Sequence, residues 1–161
     1  QKEKKFFNLN YIYEKINNLI GEEFKTKNIE IKTDLDDIEI KGFDNELVQV
    51  LINIINNAIY AIETQEVDRK LIFLSVYKRQ NNAIIEIKDN GGGINDDIIN
   101  KIFEPYFTTK HKSQGTGIGL YMSSQIIKKH MSGDMIVENI MYEYEGVSYR
   151  GAKFMITLPF S

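Results

Sequence analysis

A long apolar helix pattern between residues 44 and 62 constrains the fold of this chain more than any other feature. Its apolar residues cover most of the helical circumference, which is typical of a helix that is buried on nearly all sides. Five polar residues interrupt them at spacings of three and four and therefore share one stripe: Glu46, Gln49, Asn53, Asn57 and Tyr60. An unpaired buried polar group costs ~1–3 kcal/mol, so we expect this stripe to face partners or a ligand.

Shorter apolar patterns surround this helix. Helical spacing predicts further helices over residues 8–24 and 117–130. Short or alternating apolar runs predict strands at 29–33, 38–41, 71–78, 83–88, 134–140 and 152–158. We expect an exposed, tyrosine-rich turn between the last two strands, and Asp44 as the N-cap of the long helix. Because helices and strands mix without regular βαβ alternation, the pattern favours the α/β class and a two-layer α/β sandwich.

The composition excludes several kinds of chemistry. The 161 residues suit one domain, and they include no Cys and two His, His111 and His130. Thiol catalysis, disulfides and zinc sites of the Cys/His kind are therefore excluded, and any metal must be a hard cation with oxygen ligands. A net charge of −3 and a pI near 5.5 predict no nucleic-acid partner. No apolar run approaches the ~18 residues of a membrane span, so we predict a cytoplasmic domain without direct membrane contact.

Two glycine-dense segments are candidates for ligand contacts. Residues 89–94 read Asp-Asn-Gly-Gly-Gly-Ile at the end of a predicted strand, which suits either a tight turn or a backbone that approaches a flat ligand. In the second case the Asp89 carboxylate can accept a hydrogen bond from an exocyclic amine such as that of adenine. Residues 115–120 read Gly-Thr-Gly-Ile-Gly-Leu before a helix, where free backbone N–H groups bind phosphate. A flexible hinge is the alternative for this segment, and it is compatible with phosphate binding.

Two asparagines of the polar stripe are candidate metal ligands. Asn53 and Asn57 lie one helical turn apart. Two neutral amide oxygens at this spacing can help to hold Mg²⁺ that a nucleotide already carries. The alternative is a purely structural role in an Asn-rich chain, and the two asparagines alone do not decide between these interpretations.

The order of these segments closely resembles that of the ATP-binding catalytic domain of sensor histidine kinases. The Asn-bearing helix is followed by Asp-x-Gly-x-Gly, by Phe-Glu-Pro-x-Phe at 103–107 and by Gly-Thr-Gly-x-Gly-Leu. Residues 151–159 match the family's closing strand and 137–139 its penultimate one, so the resemblance extends from Phe7 to Phe160. It implies the Bergerat fold of the GHKL superfamily, shared with gyrase, the Hsp90 chaperones and the MutL repair proteins. That fold is a mixed, mostly antiparallel sheet covered on one face by about three helices.

The resemblance also implies roles for single residues. Asp89 would bind the adenine amino group, with Gly91, Gly93 and Ile94 beside the purine. Asn57, together with Asn53, would hold Mg²⁺ against the phosphates. The second glycine segment would wrap the β and γ phosphates through Gly115, Thr116, Gly117, Ile118, Gly119 and Leu120.

The segment between the two glycine motifs would form a lid. Residues 108–114 resemble the ATP lid of the family, anchored by the aromatic residues of 103–107. Within the lid, Thr108 and Lys110 are expected near the phosphates. Tyr60 is also expected at the nucleotide, although many family members carry a basic residue there that reaches the phosphates. Lys110 or Lys112 is therefore expected to compensate.

The chemistry of the family requires a second domain. The chain is expected to bind Mg-ATP and to donate the γ-phosphoryl group to a histidine on a separate dimerisation and phosphoacceptor domain of a two-component sensor kinase. In ATP-hydrolysing relatives a Glu occupies the position of Asn53 and activates water, whereas an amide cannot act as a general base near pH 7. Neither His111 nor His130 has the setting of an acceptor, which is a helical hairpin with an acidic neighbour. The acceptor histidine is therefore expected outside this chain.

Two alternative functions remain open. One is a GHKL-type ATPase that resembles gyrase or the chaperones, and the other is a non-catalytic nucleotide-sensing module, which the departure at Tyr60 allows. Residues 1–8 are expected to end a linker from the dimerisation domain, and residues 9–161 to form the catalytic domain. The expected downstream partner is a response regulator, and the parent protein can be anchored in a membrane.

Overall fold

The fold contains a larger and a smaller β-sheet. The structure is a computed structural model that describes residues 3–105, 107 and 119–160. The larger sheet contains most of the strands. It has five strands in the order β2-β4-β5-β7-β6. They are Ile29–Leu35 (β2), Lys70–Arg79 (β4), Asn82–Asp89 (β5), Asp134–Tyr144 (β6) and Val147–Pro159 (β7). The pair β2 and β4 is parallel and the other pairs are antiparallel. This mixed, mostly antiparallel sheet confirms the predicted fold class.

The smaller sheet lies near the N-terminus. Lys5–Asn8 (β1) pairs antiparallel with Glu39–Gly42 (β3). A single 3-10 turn, Leu9–Tyr11, follows β1 and leads into the helix Ile12–Thr26 (α1). Half of the segment 1–8 is thus built into a strand, while its role as the end of a linker stays a prediction.

The helix Asp44–Gln65 (α2) forms the centre of the core. Its buried residues are Leu47, Val48, Val50, Leu51, Ile52, Ile54, Ile55, Ala58, Ile59 and Ile62. By length and hydropathy, α2 is the one helix in the described part of the chain that is apolar enough to cross a membrane. It packs against α1, β4 and β5, so its apolar surface is covered by the core of the protein itself.

The start of α2 differs from the prediction by one residue. Phe43 is the N-cap, without a side-chain cap bond, and Asp44 is the first helical residue. The Asp44 Oδ1 atom accepts a hydrogen bond from the Asn45 N–H at 2.9 Å, and the carboxylate pairs with Lys15 of α1. The Lys15 ammonium lowers the pKa of Asp44. Asp44 therefore stabilises the positive end of the helix dipole from inside the first turn.

The third helix is the described part of the predicted helix 117–130. Gly119–Gln125 (α3) continues directly into a π-helical turn, Ile126–His130, while residues 117 and 118 lie outside the described residues. Both segments pack on α2, and Ser123 and Ile127 are fully buried. Together α1, α2 and α3 form the helical layer on one face of the larger sheet, as predicted.

The hairpin of β6 and β7 is longer than predicted. The two strands pair as far as Tyr144, and the turn consists of Glu145 and Gly146, with φ angles of 50° and 81°. The predicted tyrosine-rich turn is therefore wrong, since Tyr142 and Tyr144 lie in β6. Both rings contact Phe73 of β4 edge-on, at centroid distances of 5.8 and 4.9 Å. Tyr142 also contacts Tyr149, which lies opposite it on β7, at a centroid distance of 5.9 Å. Aromatic pairs between neighbouring strands stabilise a sheet, so this pair favours the extension of the hairpin.

Candidate functional site

A cavity of about 1010 Å³ opens between α2, the segment after β5 and the start of α3. The predicted nucleotide contacts that the structure describes all line it: Asn53, Asn57, Tyr60, Asp89, Gly91, Gly93, Ile94, Gly119 and Leu120. The fold thus brings the C-terminal part of the polar stripe, from Asn53 to Tyr60, together with the first glycine segment and the end of the second. The other predicted contacts lie outside the described residues: Thr108, Lys110, Lys112, Gly115, Thr116, Gly117 and Ile118.

Phe103 and Phe107, two of the aromatic residues before the predicted lid, pack against the core. The Phe103 ring meets the Phe154 ring of β7 edge-on, with centroids 6.2 Å apart. Phe107 packs against the core and lines the cavity, and Tyr106 lies outside the described residues. The described part of this segment therefore connects the wall of the cavity to the large sheet.

Asp89 is the buried carboxylate of the cavity. It ends β5, and 4% of the residue is exposed to solvent. Its Oδ1 atom accepts from the Gly91 N–H at 2.8 Å and from the Ala152 N–H at 3.3 Å. Burial raises the pKa of Asp89 to about 6, and these two backbone N–H groups oppose the rise. Within the described residues no hydrogen bond reaches Oδ2, so this oxygen is available to accept from a ligand amine.

The glycines after Asp89 are required for two different reasons. A Cβ atom at Gly91 would lie 2.8 Å from the Ala61 Cβ and 2.9 Å from the Ile62 nitrogen, so this glycine rests directly on α2. Gly93 has a φ of +87°, which favours glycine, and a Cβ there would lie 2.7 Å from Oδ1 of Asn139. Protein contacts therefore already require both glycines, in addition to any close approach of a ligand.

The amides of Asn53 and Asn57 are held in different ways. Asn53 Oδ1 accepts from Gln49 Nε2 at 3.2 Å, and Asn53 Nδ2 donates to Ser123 Oγ at 3.0 Å. Asn57 Nδ2 donates to the backbone carbonyl of Asn53 at 2.7 Å, which leaves the Asn57 Oδ1 atom for a ligand. Asn57 therefore offers the better oxygen to a cation, whereas both ends of the Asn53 amide already have protein partners.

The donor set of the cavity limits how a metal can bind. Among the residues that the structure describes, no group of three or more His, Cys, Asp or Glu side chains is placed to hold a metal ion. Mg²⁺ is usually bound through one or two protein oxygens together with substrate phosphates and water. The Asn57 Oδ1 atom fits that mode of binding. A cation at this site would therefore have to arrive with a phosphate ligand.

The N-terminal end of the polar stripe faces protein rather than the cavity. Glu46 Oε1 lies 2.9 Å from His130 Nδ1, and the His130 ring meets the Phe43 ring edge-on. His130 ends its helical segment, as predicted. This end of the stripe therefore ties the start of α2 to the end of the third helix.

Several residues that shape the cavity carry little sequence signal. Asn90 is buried; its Oδ1 atom accepts from the Leu71 N–H at 3.0 Å and its Nδ2 atom donates to the Arg69 carbonyl at 2.6 Å. The Tyr142 hydroxyl donates to the Asp89 backbone carbonyl at 2.8 Å. The place of Asn90 within the first glycine segment is the one available clue. The Tyr142 contact joins distant parts of the chain, and no spacing in the sequence indicates it.

Comparisons with known proteins place this geometry in a family. The model of the family described as histidine kinase-, DNA gyrase B-, and HSP90-like ATPase matches residues 42–161. Sporulation kinase E of Bacillus subtilis is 37% identical over 144 residues, which are 88% of this chain and 18% of that protein. The catalytic domain of histidine kinase ThkA, solved in a nucleotide-free form, superposes with a TM-score of 0.78 at 29% identity, covering 98% of this chain and 96% of that one. A crystal structure of ThkA in complex with the response regulator TrrA gives a TM-score of 0.73 at 25% identity, covering 98% of this chain and 42% of that one.

These similarities extend over most of the present chain but over a minor part of each full-length relative. The chain spans between 15% and 33% of the length of eight curated relatives that it matches. The predicted resemblance to the catalytic domain of histidine kinases is confirmed by the family match and by the ThkA structure. The chain therefore belongs to the histidine kinase-, DNA gyrase B-, and HSP90-like ATPase family and has the fold of a histidine kinase catalytic domain.

Proposed function

We propose that this chain binds Mg-ATP and donates the γ-phosphoryl group to a histidine on a separate dimerisation and phosphoacceptor domain of its parent sensor kinase. One observation carries the proposal. Asp89, a buried carboxylate with one oxygen not bonded by the described residues, shares a cavity with the Asn57 amide. The two groups suit the two ends of a nucleotide, since one accepts from an amine and the other offers oxygen to a cation.

The adenine end of the nucleotide would lie at Asp89. With a pKa of about 6 this carboxylate is mostly ionised at pH 7 and can accept from the exocyclic amine. A buried polar group left without its partner costs ~1–3 kcal/mol. A purine with a carbonyl oxygen in place of the amine would therefore bind less tightly. Gly91 and Gly93, which line the same part of the cavity, would face the purine ring.

The phosphate end would lie at the amides of α2 and the start of α3. A Cβ atom at Gly119 would be 3.9 Å from Asn53 Cγ, so the start of α3 lies beside the Asn53 amide. Asn57, with Asn53 beside it, would contribute oxygen to Mg²⁺. When bound, the metal neutralises charge on the phosphates. We assign the remaining phosphate contacts to Gly115 and Gly117.

The side chains of the cavity favour transfer over hydrolysis. Asn53 occupies the position of the water-activating Glu of ATP-hydrolysing relatives, and its amide is bonded at both ends. Glu23 and Glu63, the other described carboxylates of the lining, lie 3.1 and 3.4 Å from Lys27 Nζ. Asp89 is assigned to adenine. Because the described lining leaves no carboxylate to activate water, bound ATP is kept for a nucleophile that another domain delivers.

The partners follow from the proposed reaction. ThkA, which has the same fold, was solved with the response regulator TrrA. We infer that the histidine of the dimerisation domain receives the phosphoryl group from this chain and that a response regulator takes it next. Because the reaction requires ATP, which the cytoplasm supplies, we infer that it takes place in the cytoplasm. With a net charge of −3, the chain itself is assigned no nucleic-acid partner and no direct membrane contact.

Calorimetry and a transfer assay test the proposal. The chain is titrated with ATP with and without Mg²⁺, and we expect tighter binding with the metal. The chain is then incubated with γ-labelled ATP and the helical hairpin of its parent, and we expect acid-labile, base-stable phosphate on the hairpin. At an ATP concentration below the Kd, Asp89→Asn should reduce the label, while Asp134→Asn, a change of an exposed residue with the same loss of charge, should retain it.

Three outcomes would contradict the proposal in different ways. An unlabelled hairpin in the presence of bound ATP would exclude the transfer step. Rapid, steady release of phosphate by the chain alone would indicate an ATPase. Binding of ATP without magnesium dependence, together with absence of transfer, would indicate a nucleotide-sensing module.

A further inference from the structure

The end of the first glycine segment is tied to the β6–β7 hairpin by side chains that do not line the cavity. Asn139 Oδ1 accepts from the Ile94 N–H at 2.7 Å, and Asn139 Nδ2 donates to the Ile94 carbonyl at 2.6 Å. The Arg150 guanidinium donates to the Gly92 carbonyl at 2.5 Å, and the Gly92 N–H donates to the Arg150 carbonyl at 3.0 Å. These bonds lie on both sides of Gly93, which lines the cavity.

The Asn139 side chain replaces a neighbouring strand for Ile94. Ile94 lies outside every strand, yet both of its backbone groups are paired by one carboxamide, as they would be in a β-ladder. An amide side chain carries the required donor and acceptor together. The fit is close, because a Cβ atom on Gly93 would lie 2.7 Å from Asn139 Oδ1 and 3.3 Å from Arg150 Cζ.

We propose that Asn139 is a positioning residue for nucleotide binding, which holds Gly93 and Ile94 in the conformation that forms the adenine end of the cavity. The inference rests on the proposed function, since it concerns the same cavity. The segment contains three consecutive glycines and therefore has high conformational freedom when it is not held. Without the Asn139 bonds, the fraction of molecules that are competent to bind falls, and the apparent Kd rises by the same factor.

Two variants and a matched control separate positioning from general stability. Asn139→Ala removes both bonds to Ile94. Asn139→Asp keeps the shape of the side chain but replaces the amide donor by a second oxygen. The new carboxylate is repelled by the Ile94 carbonyl and by the Asp96 carboxylate, which Asn139 Nδ2 contacts at 3.3 Å, so we expect it to turn away and to lose both bonds to Ile94. Val137→Ala is the control, because Val137 lies on the same face of β6 and packs against the core, with no bond to Ile94. The Kd for ADP is measured by calorimetry, and exchange of the Ile94 amide hydrogen is measured by NMR in the nucleotide-free protein.

We expect both Asn139 variants to raise the Kd for ADP about tenfold and to accelerate exchange at Ile94, with neither effect in Val137→Ala. Unchanged affinity in the Asn139 variants would overturn the inference, whether or not exchange at Ile94 becomes faster. An equal rise of the Kd in Val137→Ala would also overturn it, because lost stability would then suffice. If Asn139→Ala fails to fold, the Kd for ADP of the isosteric Asn139→Asp variant tests the inference. Failure of the unaltered chain to bind both ADP and ATP would instead refute the proposed function, and that measurement needs no variant.

Discussion

Replacing Asp89 by Asn is expected to stabilise the nucleotide-free protein and to weaken nucleotide binding. Asn has the same shape, and its amide oxygen can still accept from the Gly91 and Ala152 N–H groups. The substitution removes a carboxyl group whose pKa burial raises from 3.8 to about 6. Since the folded protein holds this proton more tightly than the unfolded chain, the carboxyl group favours folding at low pH. That contribution is lost as the pH rises from 3.8 through about 6.

The expected size of the stability effect follows from the pKa difference. At about 1.4 kcal/mol for each pH unit between the two pKa values, ionisation of the buried Asp89 lowers the free energy of unfolding by about 3 kcal/mol at pH 7.5. The loss at pH 5 is about half as large, because the folded-state carboxyl group is then mostly protonated. Asp89→Asn avoids this loss. In the complex, however, its NH₂ group would face the adenine amine, so the Kd for ATP should rise by ~5- to 150-fold, equivalent to ~1–3 kcal/mol.

Urea denaturation at pH 7.5 and pH 5, followed by circular dichroism, measures the first effect, and calorimetry at pH 7.5 measures the second. Asp134→Asn is the control, since Asp134 is exposed and undergoes the same change of charge. The reasoning about burial would be refuted if Asp89→Asn lowered the free energy of unfolding, and if it did so by the same amount at pH 7.5 and at pH 5. Unchanged ATP affinity would refute the assignment of Asp89 to adenine.

Three further substitutions test other parts of the structure. Asn57→Asp is expected to change the magnesium dependence of ATP binding in calorimetry while leaving the circular dichroism spectrum unchanged. An unfolded variant would show instead that Asn57 has a structural role. Gly93→Ala should lower the free energy of unfolding by ~1–3 kcal/mol in urea, because φ is +87° and the new Cβ would approach Asn139 within 2.7 Å; equal stability would contradict that contact. Leu51→Ala should cost ~2–5 kcal/mol in the same assay, because Leu51 is fully buried, and a loss below ~1 kcal/mol would contradict the central position of α2.

Local patterns predicted the centre of the candidate site. Asp89 and the glycines that follow it occupy consecutive positions, and Asn53 and Asn57 are one helical turn apart, so their types and spacing are readable without a fold. Apolar periodicity predicted α2 and the central strands for the same reason, since spacing along one element is a local property. The polar stripe indicated which side of α2 would face the cavity.

Long-range contacts decide the features that the sequence did not reveal. β1 has no alternating pattern of its own and forms because β3 pairs with it. The ends of β6 and β7 read as a turn, yet they pair with each other as far as Tyr144, and Tyr142 and Tyr144 contact Phe73, which is distant in the sequence. The resemblance places Asn139 in a strand but does not indicate its bonds, because they depend on Ile94, which lies far from it in the sequence.

The two-residue turn of the β6–β7 hairpin offers a place to build a nucleotide sensor. Glu145 and Gly146 are exposed, and a Cβ atom at Gly146 would meet nothing within 4 Å. Exposed tips of this kind tolerate inserted domains. The same two strands carry Asn139 and Arg150, which bond to the glycine segment of the cavity. A circularly permuted fluorescent protein inserted at the turn would therefore be joined by two strands to the glycine segment of the cavity, and we expect its emission to change when the cavity is occupied.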